Sequence, residues 1–144
     1  MSERITYKEI RDRIESTAKE IIAEETTFPK ESSYEAWESY QQDLEALQSE
    51  AHDKAHESVD SWDWTIYTHM GFQVYDALMS VEQCEAEQAF EDCGGYEQAA
   101  DQRMGPYEMG CAMAYHWLVQ ELANEVMGQC EELVELAQGE MDKF

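Results

Sequence analysis

Positive charge is what this sequence has least of. Nine Lys and Arg stand against 33 Asp and Glu, a formal net charge of -24. Such a chain repels phosphate backbones and anionic bilayer surfaces, so direct nucleic-acid binding and adhesion to anionic membranes are not expected. Long apolar runs are missing as well. The longest stretches without Asp, Glu, Lys or Arg are Trp64 to Tyr75 and Met109 to Gln120, well short of the ~20 apolar residues that span a bilayer. The opening Met-Ser-Glu-Arg-Ile-Thr-Tyr-Lys-Glu carries no apolar signal segment, and a cytoplasmic protein with reduced thiols is expected. Proline and glycine are scarce, with two and seven residues, and no period-2 alternation is sustained, so helices can run long and the fold class is all-α.

Apolar residues are nevertheless plentiful. At 43% hydrophobic and 11% aromatic over 144 residues, the chain can bury the core of one domain spanning 1–144 and is too apolar for a disordered acidic tail. The pattern predicts a bundle of about four main helices. Thr6-Tyr7-Lys8-Glu9 has the form of a capping box, followed by Ile10, Ile14, Ala18, Ile21 and Ile22 at helical spacing to about Glu25. Ser32-Ser33-Tyr34-Glu35 starts a second helix with a stripe of Tyr34, Trp37, Gln41, Leu44, Ala51 and Ala55, ending near Ser58. Asp60-Ser61 caps a third, with Trp64, Tyr67, Met70, Val74, Leu78 and Val81 inward, which ends before Gly94-Gly95. A loop with at most a short helical turn over 93–105 then leads to Pro106, first residue of a last helix that Gly139 closes. From Met109 to Val119 apolar residues nearly encircle the axis, which places this segment centrally.

The acidity is regional. Residues 1–30 hold six of the nine cations (Arg4, Lys8, Arg11, Arg13, Lys19, Lys30) and net -1, a near-neutral first helix; residues 31–102 hold eighteen acids against Lys54 alone. Ordinary solvated helices intersperse Lys with Glu four apart and gain about 0.2–0.5 kcal/mol per pair. Here the pairing cations are missing. At 100° per residue, Glu35, Glu50, Asp53, Glu57 and Asp60 fall opposite the second stripe, and Asp76, Glu87 and Glu91 opposite the third. Carboxylates three, four or seven residues apart stand ~5–10 Å apart along an axis, the scale of phosphate spacing.

In size, charge and helical character the chain resembles the small acidic DNA-mimic proteins of phages and mobile elements, the antirestriction and anti-CRISPR class. The resemblance rests on no sequence motif. It implies an inhibitor that occupies the nucleic-acid cleft of a basic DNA-binding protein, needs no cofactor and performs no catalysis. Those eight acids would act as one field; Trp117, on the side of Glu121, Asn124 and Glu135, is either an interface anchor for the partner or partly covered by another helix. The first helix would pack behind the face or join two copies as a homodimer. A different class, an acidic helical adaptor or chaperone for a basic partner, ranks second.

Enzymatic signatures are weak. His52 and His56 share a helix face beside Asp53 and Glu57, but no third metal ligand presents itself. Glu132-Leu133-Val134-Glu135, with Glu82-Gln83-Cys84-Glu85, is similar to the magnesium-holding Glu-x-x-Glu of all-α nucleotide pyrophosphatases. That class carries its second acidic motif on a following helix, and with nine residues after Glu135 the topology here is expected to differ. Cys84, Cys93, Cys111 and Cys130 lack metal or redox spacing. Cys84 and Cys130 fall near apolar stripes, which makes Cys93 the exposed thiol. His69 and His116 sit in apolar sequence surroundings, as hydrogen-bonded core histidines do.

Overall fold

A computed structural model describes residues 5–62, 69–79, 81 and 83–144, the side chains of 69–73 excepted. Among them the fold is all-α, with six helices rather than four and no strand: α1 (Tyr7–Glu25), α2 (Tyr34–Asp60), α3 (His69–Met79), α4 (Gln83–Asp92), α5 (Gly95–Asp101) and α6 (Pro106–Met141). No described helix is long and apolar enough to cross a membrane.

The first expected cap is at Thr6; the second falls at Ser33, one residue past the Ser32 with which the Ser32–Glu35 box begins. The Thr6 hydroxyl accepts from the Glu9 N–H, and the Ser33 hydroxyl from the Ala36 N–H, each at 3.2 Å. Each bond satisfies one of the amides that a helix start leaves open. The α1 stripe of Ile10, Ile14, Ala18, Ile21 and Ile22 is buried as periodicity predicts. On α2 the buried line is Trp37, Tyr40, Leu44, Leu47, Ala51, Ala55 and Val59. Tyr34 is exposed, whereas Gln41 lies half-buried and bridges to α6, donating to the Val134 carbonyl at 3.4 Å and to Gln138 Oε1 at 3.2 Å.

The 36-residue α6 is the axis of the fold and touches each of the other five helices, α2 most extensively. Its first half is enclosed on several sides: Gly110, Cys111, Met113, Ala114, Tyr115, Trp117, Leu118 and Val119 are all buried. Gly139 does not end it. The helix runs on to Met141, whose side chain is 5% exposed and draws the last turn onto the core.

The expected third helix is two. Val81 and Glu85, three and seven residues past the buried Leu78, would extend the inward face of α3 in one unbroken helix. Both are exposed, and burial resumes at Ala86, Ala89 and Phe90. The break, where the Val81 N–H closes on the Leu78 carbonyl at 3.1 Å, lets two short helices lie on α6 separately. Trp64 and Tyr67 of the expected stripe are outside the described residues.

The segment expected as a loop holds the seven-residue α5. Gly94 enters it at φ 74°, in the left-handed region where a side chain is strained. A Cβ on Gly95 would come within 2.3 Å of the Phe90 ring, so only glycine lets α5 fold back against α4. Cys111 and Cys130 are buried, but Cys84 is exposed alongside Cys93, because the break after α3 turns Cys84 outward.

Candidate anionic interface and adjoining cleft

On α2 the acids Glu35, Glu50, Asp53, Glu57 and Asp60 are all exposed. At 100° per residue they fall within an arc of roughly 80°, about 155° from the centre of the buried stripe. A 27-residue helix is ~40 Å long, and its last turns carry acids at Glu50, Asp53, Glu57 and Asp60, one per ~5 Å of axis. Asp76 on α3 and Glu91 on α4 are exposed; Glu87 is half-buried and accepts from Gln83 Nε2 at 3.2 Å.

This surface, like α6, is almost without cations, and α1 is the exception. On α1, Lys8 pairs with Asp12 at 2.8 Å and Lys19 with Glu15 at 3.4 Å, both four residues apart, and Arg11 reaches Glu121 of α6 at 3.1 Å. Among the described residues Glu35, Glu50, Asp53, Glu57 and Glu91 have no ion pair or hydrogen-bond partner. Lys54, the one cation of 31–102, turns aside to Glu25 of α1 at 3.1 Å. That hydrogen bond, reinforced by the fields of Glu25, Glu57 and Glu50, holds its ammonium above the ordinary lysine range. Exposed carboxylates also occur on α1 and α6, so negative charge extends beyond α2, α3 and α4.

Trp117 is not part of any surface. It is 1% exposed, packed with Tyr7 at 6.3 Å between ring centroids and with the Arg11 guanidinium 6.0 Å from its ring. As an interface anchor it is a correction: α1 covers the face of α6 on which the polar neighbours Glu121 and Asn124 had placed it. Its indole N–H finds no acceptor among the described residues.

At the end of α2 the last of these acids takes a second task that periodicity does not reveal. Tyr115 of α6 donates its hydroxyl to Asp60 Oδ1 at 2.5 Å, and the Tyr115 hydroxyl oxygen stands 2.8 Å from His56 Nε2. His56 Nδ1 lies 3.1 Å from Asp60 Oδ2. The hydroxyl proton serves Asp60, and the three side chains close a ring of contacts across α2 and α6. His56 and Asp60 lie four apart on one helix, a pairing passed over in favour of His52 with His56; Tyr115 comes from 55 positions beyond Asp60 and gave no signal. His116, half-buried between the Phe90 and Tyr115 rings, is held below the ordinary histidine range by burial and then by His56 and His52.

Among the described residues no group of three or more His, Cys, Asp or Glu is arranged to hold a metal. Both ring nitrogens of His56 face Asp60 and Tyr115 instead of sharing an ion with His52. Glu85 on α4 and Glu132 and Glu135 on α6 are exposed, and Glu82 is outside the described residues. No protein-family model matches the chain, and no curated protein or solved structure matches it.

Proposed function

We propose that this protein is an acidic DNA mimic that occupies the nucleic-acid-binding cleft of a basic protein and so inhibits it. The observation that carries this reading is the run of exposed carboxylates on α2, Glu35, Glu50, Asp53 and Glu57 without partners among the described residues, opposite its buried stripe, where α1 pairs Asp12 and Glu15 with its own lysines. One DNA strand presents a phosphate every ~3.4 Å. A carboxylate every ~5 Å along a rigid helix approaches that density, and the neighbouring acids of α3 and α4 add to the field. The partner would shed condensed ions from a cleft lined by Lys and Arg, and the complex would weaken steeply with salt. No cofactor enters this reading. A defence effector such as a restriction or CRISPR nuclease has the required cleft. A homodimer would lengthen the surface.

The test is capture from a host lysate with and without nuclease treatment, followed by competition. Duplex DNA should displace the protein from the captured partner, and Glu35→Lys with Asp53→Lys and Glu57→Lys should abolish capture while the helical circular dichroism persists. Capture that DNA leaves untouched would replace the mimic with an adaptor or chaperone for a basic partner.

A further inference from the structure

Beside the acidic face, the end of α2, the helix α5 and the first turns of α6 enclose a cleft of about 690 Å³. This volume is within the ~300–1,000 Å³ of small-molecule sites. Its inner wall is the hydroxyl of Tyr115, a residue only 8% exposed, fixed between Asp60 and His56. Glu108 stands in the same lining with no partner among the described residues. Tyr107, Met104 and Ala112 supply aromatic and apolar surface, and neither Lys nor Arg contributes to the lining.

From this arrangement we propose that the cleft binds a small organic cation: an ammonium head held between Asp60 and Glu108, and an aromatic or apolar body against Tyr107 and Met104. The charge of the head follows from the lining. An anion would face two carboxylates with no Lys or Arg to meet it, whereas an ammonium gains charge-assisted hydrogen bonds to both. Because Tyr115 and His56 each occupy one oxygen of Asp60, that carboxylate is fixed in orientation before any ligand arrives, which reduces the ordering cost of binding. The phenol of Tyr107, 45% exposed at the rim, offers a π-face to the cation or its ring. This site shares Asp60 with the acidic field, but its test does not depend on partner recognition.

Titration calorimetry on the full chain with tryptamine, tryptophol and indole-3-acetate varies the head charge on one aromatic body. Tryptamine should bind one per chain, the neutral alcohol at least ~10-fold more weakly and the carboxylate not at all. Glu108→Gln, at an exposed position that does not endanger folding, should weaken tryptamine by ~10-fold, and Tyr115→Phe by several-fold. Glu132→Gln, on α6 outside the cleft, should change nothing. The proposal is overturned if none of the three compounds binds, if tryptophol binds as tightly as tryptamine, or if Glu132→Gln weakens binding as much as Glu108→Gln. The last result would mean diffuse attraction of cations to an acidic protein.

Discussion

If the α2 face is maintained for its field, it is maintained against stability, and one substitution measures by how much. Asp53 has Glu50 three residues before it and Glu57 four residues after it, all exposed. Asp53→Lys removes two like-charge neighbours and creates two opposite-charge ones. Each of these four changes contributes about 0.2–0.5 kcal/mol in an exposed helix, or about 1–2 kcal/mol together, and lysine's better helix propensity adds a few tenths. No packing is lost, since Asp53 touches no partner. For a chain of this size the gain corresponds to a rise in melting temperature of roughly 3–6 °C.

The assay is thermal unfolding by circular dichroism at two ionic strengths. Near about 20 mM salt the full rise should appear; near about 1 M, where the Debye length falls to ~3 Å, most of it should vanish, leaving the propensity part. A melting temperature unchanged or lowered at low salt would refute the reasoning, because the α2 acids would then not be repelling one another. A gain that salt leaves intact would do so too, by assigning the effect to propensity alone. The same variant should bind the captured partner more weakly, so stability and recognition should move in opposite directions.

Leu122→Ala, at a side chain with no exposure where α6 meets the rest of the core, should cost about 2–5 kcal/mol in urea unfolding with the denaturant slope unchanged. A cost under 1 kcal/mol would mean that the α6 core is loosely packed. Since burial lowers the pKa of His116 from 6.5, the unfolded chain takes up that proton first. Its contribution to stability is whole above about pH 6.5 and declines as pH falls through and below that value. His116→Gln should flatten the fall in urea midpoint between about pH 7 and 5.5, and an unaltered slope counts against the assignment. Under native conditions a thiol reagent should modify Cys84 first, then Cys93, whose thiol burial raises. Cys111 and Cys130, the latter pushed up to about 11 by burial, should react only on unfolding.

The long helices were legible because their signals are local. Thr6 caps where its capping box places it and Ser33 one residue past the start of the second box, Pro106 opens α6, and one buried face recurs every three or four residues on α1 and α2. The outward position of Glu50, Asp53 and Glu57 follows from the same period. The division into α3 and α4 was not legible, since no proline or glycine marks it and its cause is docking on α6, a tertiary demand. Trp117 stayed between an interface role and coverage by another helix for a related reason. Its neighbours on α6 are polar, but α1 covers that face, and a helix pattern shows which residues share a face without showing what lies over it. The Tyr115–His56–Asp60 contact needs two helices in register, which no spacing within either one encodes.

A general pressure toward solubility does not account for this surface. Net charges of magnitude about 2–8 keep a small domain soluble, and the segment 31–102 alone carries eighteen acids against one lysine. Nor is the lack of ion pairs a habit of the whole chain. On α1 the sequence sets Lys8 four residues before Asp12 and Lys19 four after Glu15, and both pairs form. On α2 it places Glu50, Asp53 and Glu57 at the same spacings and gives its single lysine to another helix. Two helices of one small fold thus differ in how many of their acids have a lysine in reach, although Glu20 and Glu24 of α1 also have no ion pair among the described residues. The difference is accounted for if α1 has only a surface to solvate while α2 has a potential to present.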